Sequence, residues 1–249
     1  MDTLLLASKV AVITGAGSGI GRAAAILMAK EGAKIVAVSR SEDELKETVE
    51  VIHRAGGEAI IVIADISVPD QMKNVMEKTV SAFGKIDIVF ANAGINGTWG
   101  PIEDLTPDEW NKTINTNLSG TFYTIKYAIP YLKQRGGSII ITSSVNGTRI
   151  FSNTGATAYS CTKAAQVAFT KMAALELAKH KIRVNVICPG AIDTAINETT
   201  KEKNFKKIEE PVEFPEGKIP LTDGKPGTSE QVAELVVFLA SEKASHITG

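Results

Sequence analysis

Six short runs of apolar, mostly β-branched residues recur along the chain, at 10–14, 34–39, 59–64, 86–91, 138–142 and 183–188. Between successive runs lie helix-length stretches in which apolar residues return every three or four positions. The runs are nearly continuous in hydrophobicity, as in strands covered on both faces. This order predicts repeated βαβ units and an α/β fold: a doubly wound parallel sheet with helices on both faces. Three helix starts are also written in the sequence. Ser41 with Glu44, Thr106 with Pro107 and Glu109, and Thr228 with Gln231 all have capping-box spacing.

One stretch, 193–227, has no regular pattern and carries Pro211, Pro215, Pro220 and Pro226 among mixed charges. A loop of that length in a compact domain is expected to be functional, and it reads as a substrate lid. The remainder fits a single domain over 1–249, since 249 residues with 44% hydrophobic content fill one large core. A net charge of −1 and no basic cluster outside the mixed-sign stretch 201–210 argue against nucleic-acid or membrane partners. The apolar stretch 3–14 lacks a basic leader and a cleavage pattern, which points to a soluble, cytoplasmic protein. Cys161 and Cys188 read as buried thiols, and His53, His180 and His246 have no ligand spacing, so no metal is expected.

The chemistry concentrates in 138–163. Ser143 and Ser144 fall at the C-terminal end of a strand, where α/β proteins place reacting groups. On the helix that follows, Tyr159 and Lys163 are four residues apart, on one face and about 6 Å along the axis. A cation about 5.5 Å from a phenol favours the phenolate by roughly 3 kcal/mol at an effective dielectric of about 20. That predicts a lowered Tyr159 pKa and an acid/base role. Taken alone, the pair also reads as an exposed helix couple.

The first strand runs into Thr14-Gly15-Ala16-Gly17-Ser18-Gly19-Ile20-Gly21, a T-G-x-x-x-G-x-G turn opening a helix. Such a turn lets backbone amides and a helix N-terminus approach a pyrophosphate. Together with Asn92-Ala93-Gly94 after the fourth strand, Asn117, Ser144, the Tyr159-x-x-x-Lys163 pair and Pro189-Gly190 after the sixth, this pattern resembles the short-chain dehydrogenase/reductase family over nearly the whole chain. The resemblance implies a nicotinamide-dependent oxidoreductase acting on a small carbonyl compound or secondary alcohol. Tyr159 would be the acid/base, and Lys163 would tune it and hold the nicotinamide ribose. Ser144 would bond the substrate oxygen, with Ser143 as its competitor, and Asn117 would hold a water leading from Lys163 to solvent. Gly15, Ser18, Gly19, Ile20 and Gly21 would form the phosphate turn. Asn92, Gly94, Pro189, Gly190, Ile192 and Thr194 would line the cofactor.

Cofactor choice rests on Ser39-Arg40 at the end of the second strand. An acid there would bond the 2′-hydroxyl of NAD, whereas a guanidinium suits the 2′-phosphate of NADP. NADP is the favoured cofactor, with NAD kept open because Ala16, Gly17 and Ser18 carry no basic group and Arg40 can also be a solvent-facing residue beside Ser41. Asp65 is matched to the family's adenine contact, or is a turn acid before Ser67. Trp99, Ile150 and Phe151 border the substrate site or pack locally. NADPH-linked carbonyl reduction is favoured over NAD-linked sugar, polyol or secondary-alcohol oxidation, and over a non-catalytic cofactor sensor. The resemblance also implies a homo-oligomer, a tetramer formed through 106–135 and 157–180. A further strand normally follows a motif like 246–249 in this family, so the sheet as given is expected to lack its last strand.

Overall fold

The computed structural model describes residues 4–148, 154–208 and 222–249. Its main sheet has six parallel strands in the order β3-β2-β1-β4-β6-β7: β1 Val10–Thr14, β2 Lys34–Ser39, β3 Ala59–Ile63, β4 Ile88–Ala91, β6 Gly137–Thr142 and β7 Ile182–Ile187. The doubly wound expectation is met. The first crossovers wind β1, β2 and β3 one way, and the chain then returns to the other side of β1 to place β4. β1 and β4 are therefore the adjacent strands at which the direction of winding reverses.

Alternate residues of each strand face opposite layers. In β1, Ala11 and Ile13 pack with Met28 of α1 (Gly19–Lys30), Leu45 of α2 (Glu42–Arg54) and Val236 of α7 (Ser229–Ala240). Val12 packs with Met72 of α3 (Pro69–Phe83), Ile125 of α5 (Gly120–Leu132) and Leu177 of α6 (Thr157–Leu177). Side chains such as Ile13, Ile35, Phe90 and Ile125 are at most 1% exposed, and burying each contributes about 1.5–3 kcal/mol. Such burial on both faces accounts for the nearly uninterrupted apolar strand sequences.

Some local features differ from the sequence reading. The fourth strand begins at Ile88; just before it, Asp87 keeps backbone bonds to Val10 and Ser138 (both 3.0 Å), while its side chain accepts from the Val10 amide (2.8 Å) and from Lys85 (2.9 Å). Thr106–Glu109 and Thr228–Gln231 form capping boxes on α4 (Pro107–Ile114) and α7. Ser41 caps α2 without a side-chain hydrogen bond, since Glu44 lies against the glycine turn instead: a Cβ on Gly17 would stand 2.8 Å from Glu44 Cβ. Cys161 is exposed, not buried, and Cys188 is half-buried. β7 is an edge strand, and the last residues bond to its outer side, with Val184 donating to Thr248 Oγ1 (3.0 Å) and accepting from Gly249 (2.9 Å). Among the described residues, no helix is long and apolar enough to cross a membrane, and no cluster of three His, Cys, Asp or Glu could hold a metal.

The stretch read as patternless contains structure in its described part. Its two ends run side by side, with Asp193 donating to Gly227 and Gly227 to Ala191 (both 2.9 Å). Between them, β8 (Thr200–Glu202) pairs in parallel with β5 (Gly97–Trp99) as a second, two-stranded sheet. Residues 209–221, with Pro211, Pro215 and Pro220, and residues Ile150 and Phe151 lie outside the described residues. Beyond β8, Lys203 pairs with Glu109 (3.0 Å), while Lys207 (2.9 Å) and Asn204 (2.8 Å) reach Asp104.

The Thr106 backbone amide, Lys203 and the Thr106 hydroxyl, in that order, hold the Glu109 carboxyl down at about 2. A depressed carboxyl lends support above its ordinary range near 4.5 and loses it as pH falls through about 2, so these anchors persist through mildly acidic conditions. Substituting Asp104→Asn together with Glu109→Gln is expected to speed tryptic cleavage within 201–207 several-fold at neutral pH and low salt, where exposed ion pairs are least screened. Unchanged cleavage would mean that β5–β8 pairing alone fastens this segment.

Candidate active site

The site begins at the reversal between β1 and β4. The buried Thr14 hydroxyl accepts from the backbone amides of Asn92 (3.0 Å) and Ala93 (3.1 Å), just beyond the end of β4. Asn92 in turn donates from Nδ2 to the Thr14 carbonyl (3.2 Å) and accepts at Oδ1 from Thr142 of β6 (3.0 Å). Three strand ends are thereby tied together around a crevice, which is where a doubly wound sheet takes a ligand.

The glycine turn forms one wall. Gly15 (φ 68°) and Gly19 (φ 50°) have left-handed backbones that disfavour any side chain, and a Cβ on Gly21 would collide with the Gly15 carbonyl. Ser18 precedes α1 but makes no side-chain cap, and the first turn of α1 has no acidic residue. Its opening amides are thus free of internal side-chain partners and suit an anion such as a pyrophosphate. A cleft of about 210 Å³ is lined by the turn residues Gly15, Ser18, Gly19 and Ile20, by Asn92 and Gly94, and by Ser144, Tyr159, Lys163, Pro189, Gly190, Ile192 and Thr194. Ala195, Ile196 and Thr199 line it too, although no sequence motif singles them out.

Arg40 and Asp65 face an adjoining recess of about 380 Å³ that shares Gly15, Ser18 and Gly94 with the cleft. Arg40 lies 3.8 Å from Asp65, its side chain 65% exposed. Burial works to raise the Asp65 pKa, but bonds from the Ser67 hydroxyl and amide together with Arg40 bring it below the usual range. Glu44 also borders this recess. Because the sequence cast it as a capping partner, its nearness to the turn was not legible.

At the reacting end, Tyr159 is 8% exposed and its hydroxyl is hydrogen-bonded to Ser144. Ser144 leads a short helical turn, its Oγ accepting from the Asn146 amide (3.2 Å). Ser143 is committed elsewhere, donating to the Lys163 carbonyl (2.7 Å). Of the two serines, Ser144 is therefore the one beside the phenol. The Trp99 ring stands 6.5 Å from that of Tyr159 and is held by its indole N–H on the Asn96 carbonyl (3.1 Å).

The electrostatics differ from the sequence expectation. Lys163 Nζ lies 5.4 Å from the centre of the Tyr159 ring and donates to the Thr142 carbonyl (2.9 Å). Burial pushes the Tyr159 phenol up, against a lowering by Ser144. Lys163 is 2% exposed, and burial brings it down to about 8. The phenol stays protonated at neutral pH because burial of the ring disfavours the phenolate.

Asn117 sits behind this pair, 0% exposed, in a π-helical turn (Asn115–Ser119) between α4 and α5. Its side chain accepts from the Ile95 amide (2.8 Å) and donates to the Ile95 carbonyl (2.9 Å) and to Thr162 Oγ1 (3.2 Å). The amide is thus fully engaged in holding the Gly94–Ile95 backbone, where a Cβ on Gly94 would be 3.7 Å from Lys163 Nζ.

The chain is similar in sequence and fold to known proteins. A family model described as enoyl-(acyl carrier protein) reductase matches residues 15–249. Over 245 residues the chain is 39% identical to the 3-oxoacyl-(acyl-carrier-protein) reductase FabG of Thermotoga maritima, covering 98% of this chain and 95% of that protein. The crystal structure of a 3-ketoacyl-ACP reductase from Sinorhizobium meliloti 1021 superposes with a TM-score of 0.91 at 53% identity, over 96% of this chain and 94% of that one. A 3-ketoacyl-(acyl-carrier-protein) reductase from Brucella melitensis, complexed with NADH, superposes with a TM-score of 0.85 at 33% identity, over 98% and 95% of the two chains. By sequence along its whole length and by the parallel sheet that carries the site, the chain belongs to the short-chain dehydrogenase/reductase family of NAD(P)-dependent oxidoreductases.

Proposed function

We propose that this enzyme reduces a carbonyl compound to a secondary alcohol with NADPH, using Tyr159 as the proton donor. The observation that carries this reading is the Tyr159 phenol, buried, protonated and hydrogen-bonded to Ser144 above Lys163 in the cleft. Bound nicotinamide supplies the hydride. As negative charge grows on the substrate oxygen, the Ser144 hydroxyl steadies it and the Tyr159 hydroxyl delivers a proton. Lys163, charged at neutral pH and within the low-dielectric site, stabilises the phenolate left behind. The 3-oxoacyl reductase names of its relatives support a 3-oxoacyl compound as substrate.

The turn Gly15–Gly21 would hold the pyrophosphate, with Asn92, Gly94, Pro189, Gly190, Ile192 and Thr194 along the nicotinamide half. Arg40 and Asp65 would hold the adenosine end. A second reading, NAD-linked oxidation of an alcohol, is favoured by the Glu44 carboxylate beside the turn and by the NADH in the Brucella relative. We assign residues 1–249 to one catalytic domain and 193–227 to a lid fastened through β8. Exposed Phe122, Met172 and Leu175 on α5 and α6 support a homo-oligomer through these helices.

The Tyr159→Phe variant is expected to bind NADPH nearly as wild type and to lose at least about a thousandfold in kcat, as removal of a proton donor and its charge stabilisation together would. Substantial turnover by that folded variant, measured by loss of nicotinamide absorbance, would remove Tyr159 from the role. For cofactor choice, Arg40→Ala is expected to raise the NADPH dissociation constant tenfold or more, about 1.4 kcal/mol, and to leave NADH nearly unchanged. Equal losses in fluorescence titrations would exclude Arg40 as the selector.

Lys163 makes a further prediction through linkage. Its folded pKa of about 8 lies below the ordinary value of 10.5, so charging it opposes folding at and below neutral pH, and this opposition fades as pH rises from about 8 to about 10.5. The difference corresponds to on the order of 3 kcal/mol. Lys163→Met is expected to be inactive yet to melt at or above the wild-type temperature at pH 7, with the advantage shrinking at pH 10. A lower melting temperature at pH 7 would show that the ammonium stabilises the fold.

A further inference from the structure

Between the π turn with α5 and the facing side of α6 runs a seam of polar side chains where apolar packing would be expected. Thr162, Gln166 and Thr170 are spaced by four along α6 and are 0%, 1% and 0% exposed; Asn117, Thr121 and Thr124 oppose them at 0%, 2% and 0%. Five of the six satisfy their side-chain polar atoms. Thr162 donates to the Tyr159 carbonyl (2.6 Å), Thr170 to the Gln166 carbonyl (2.9 Å), and Thr124 to the Gly120 carbonyl (2.7 Å).

Gln166 is the exception. Its Nε2 donates to the Asn117 backbone carbonyl and to Thr121 Oγ1, both at 2.9 Å, but its Oε1 is buried without a partner among the described residues. The Asn117 carbonyl can only accept, so the amide orientation is fixed and turning it over would set oxygen against oxygen. An unpaired buried acceptor is destabilising, and a leucine or methionine would fill the space without one. The fold keeps an amide here at a cost to stability. Fully buried polar groups that are not needed for stability point to a functional requirement.

What the amide holds is informative. The Asn117 carbonyl belongs to the π turn, a local widening of the helix that side-chain bonds must sustain against relaxation to α geometry. The side chain of the same residue fixes the Ile95 amide and carbonyl, and with them Gly94, which lies between Asn117 and Lys163. We propose that Gln166 is a positioning residue: by pinning the Asn117 carbonyl to α6 it holds the π turn in the register that presses the Gly94–Ile95 backbone against the Lys163 side of the cleft. It touches neither cofactor nor substrate. The inference rests on the reading of this cleft as a hydride-transfer site only for its effect on turnover, because its effect on the backbone is independent of chemistry.

Two variants of Gln166, a double mutant and hydrogen exchange test it. In Gln166→Leu the Asn117 carbonyl keeps the Thr121 hydroxyl at 2.7 Å and nothing new is orphaned. The variant is expected to melt no lower than wild type and to bind NADPH within about threefold, while kcat falls about tenfold or more, since small misplacements of a reacting constellation cost that much. A lowered melting temperature with unchanged kcat would overturn the proposal. In an Asn117→Ala background the same substitution is expected to add no further loss, as for residues acting through one another; an undiminished loss would overturn it.

The second variant, Gln166→Glu, keeps a donor only while its carboxyl is protonated. Its kcat relative to wild type is expected to recover as pH falls, and absence of acid recovery would count against the role even if the leucine variant failed to fold. Hydrogen exchange supplies the readout besides turnover: the Ile95 amide, bonded to Asn117, is expected to exchange faster in Gln166→Leu. If neither NADPH nor NADH supports turnover of any ketone by wild type, the proposed reaction fails. Faster Ile95 exchange would still uphold the positioning role, and unchanged exchange would refute it.

Discussion

The organisation of this molecule depends on what happens to three strand ends where winding reverses. Parallel strands bond to their neighbours only along the ladder, so backbone amides just past β4 would be left without partners as β1 and β6 turn away. Thr14 resolves this by accepting from the Asn92 and Ala93 amides, and Asn92 links Thr14 to Thr142. The tie leaves little freedom around it: a Cβ on Gly15 would lie 3.0 Å from Asn92 Nδ2. The glycine turn, Gly94 and the end of β6 therefore enter the cleft in fixed relation before any ligand arrives, which is the preorganisation that transfer of a hydride between two bound molecules requires.

On that frame the proton affinities of Tyr159 and Lys163 are set by desolvation more than by mutual attraction. Tyr159 and Lys163 share one face of α6, yet the same burial that raises the phenol lowers the ammonium. From ordinary values of 10.0 and 10.5 the two groups therefore move apart in proton affinity, the phenol upward against a lowering by the Ser144 hydroxyl and the ammonium down to about 8. A protonated phenol beside a charged lysine is the distribution suited to quenching an alkoxide. It also implies that oxidation in the reverse direction becomes easier as pH rises.

The sequence foretold the sheet because its strands are buried on both faces and so are written as unbroken β-branched runs. It foretold the cleft because glycine, tyrosine and lysine at fixed spacing leave few alternatives. What it hid was set by tertiary neighbours. Thr200-Lys201-Glu202 is wholly polar and becomes a strand only by pairing with β5. Glu44 had the right spacing for a cap, yet the glycine turn it meets is 27 residues earlier in the chain. The phenol's pKa was misread because spacing along a helix gives a distance to the ring but not the depth of burial. Gln166 gave no signal at all, since a glutamine on an α6 of low amphipathicity reads as surface until its neighbours are known.

The same contrast bears on cofactor choice. Arg40 is two-thirds exposed and 3.8 Å from Asp65, a separation and exposure at which an ion pair contributes little. It is therefore free to turn toward a phosphate at small cost. Glu44 borders the same recess without a hydrogen bond to restrain it, and a 2′-phosphate would meet its charge as well as that of Arg40. A ribose 2′-hydroxyl or 2′-phosphate entering this recess would meet two exposed and opposed charges at once, so its fit would depend on the difference between them and not on either residue alone.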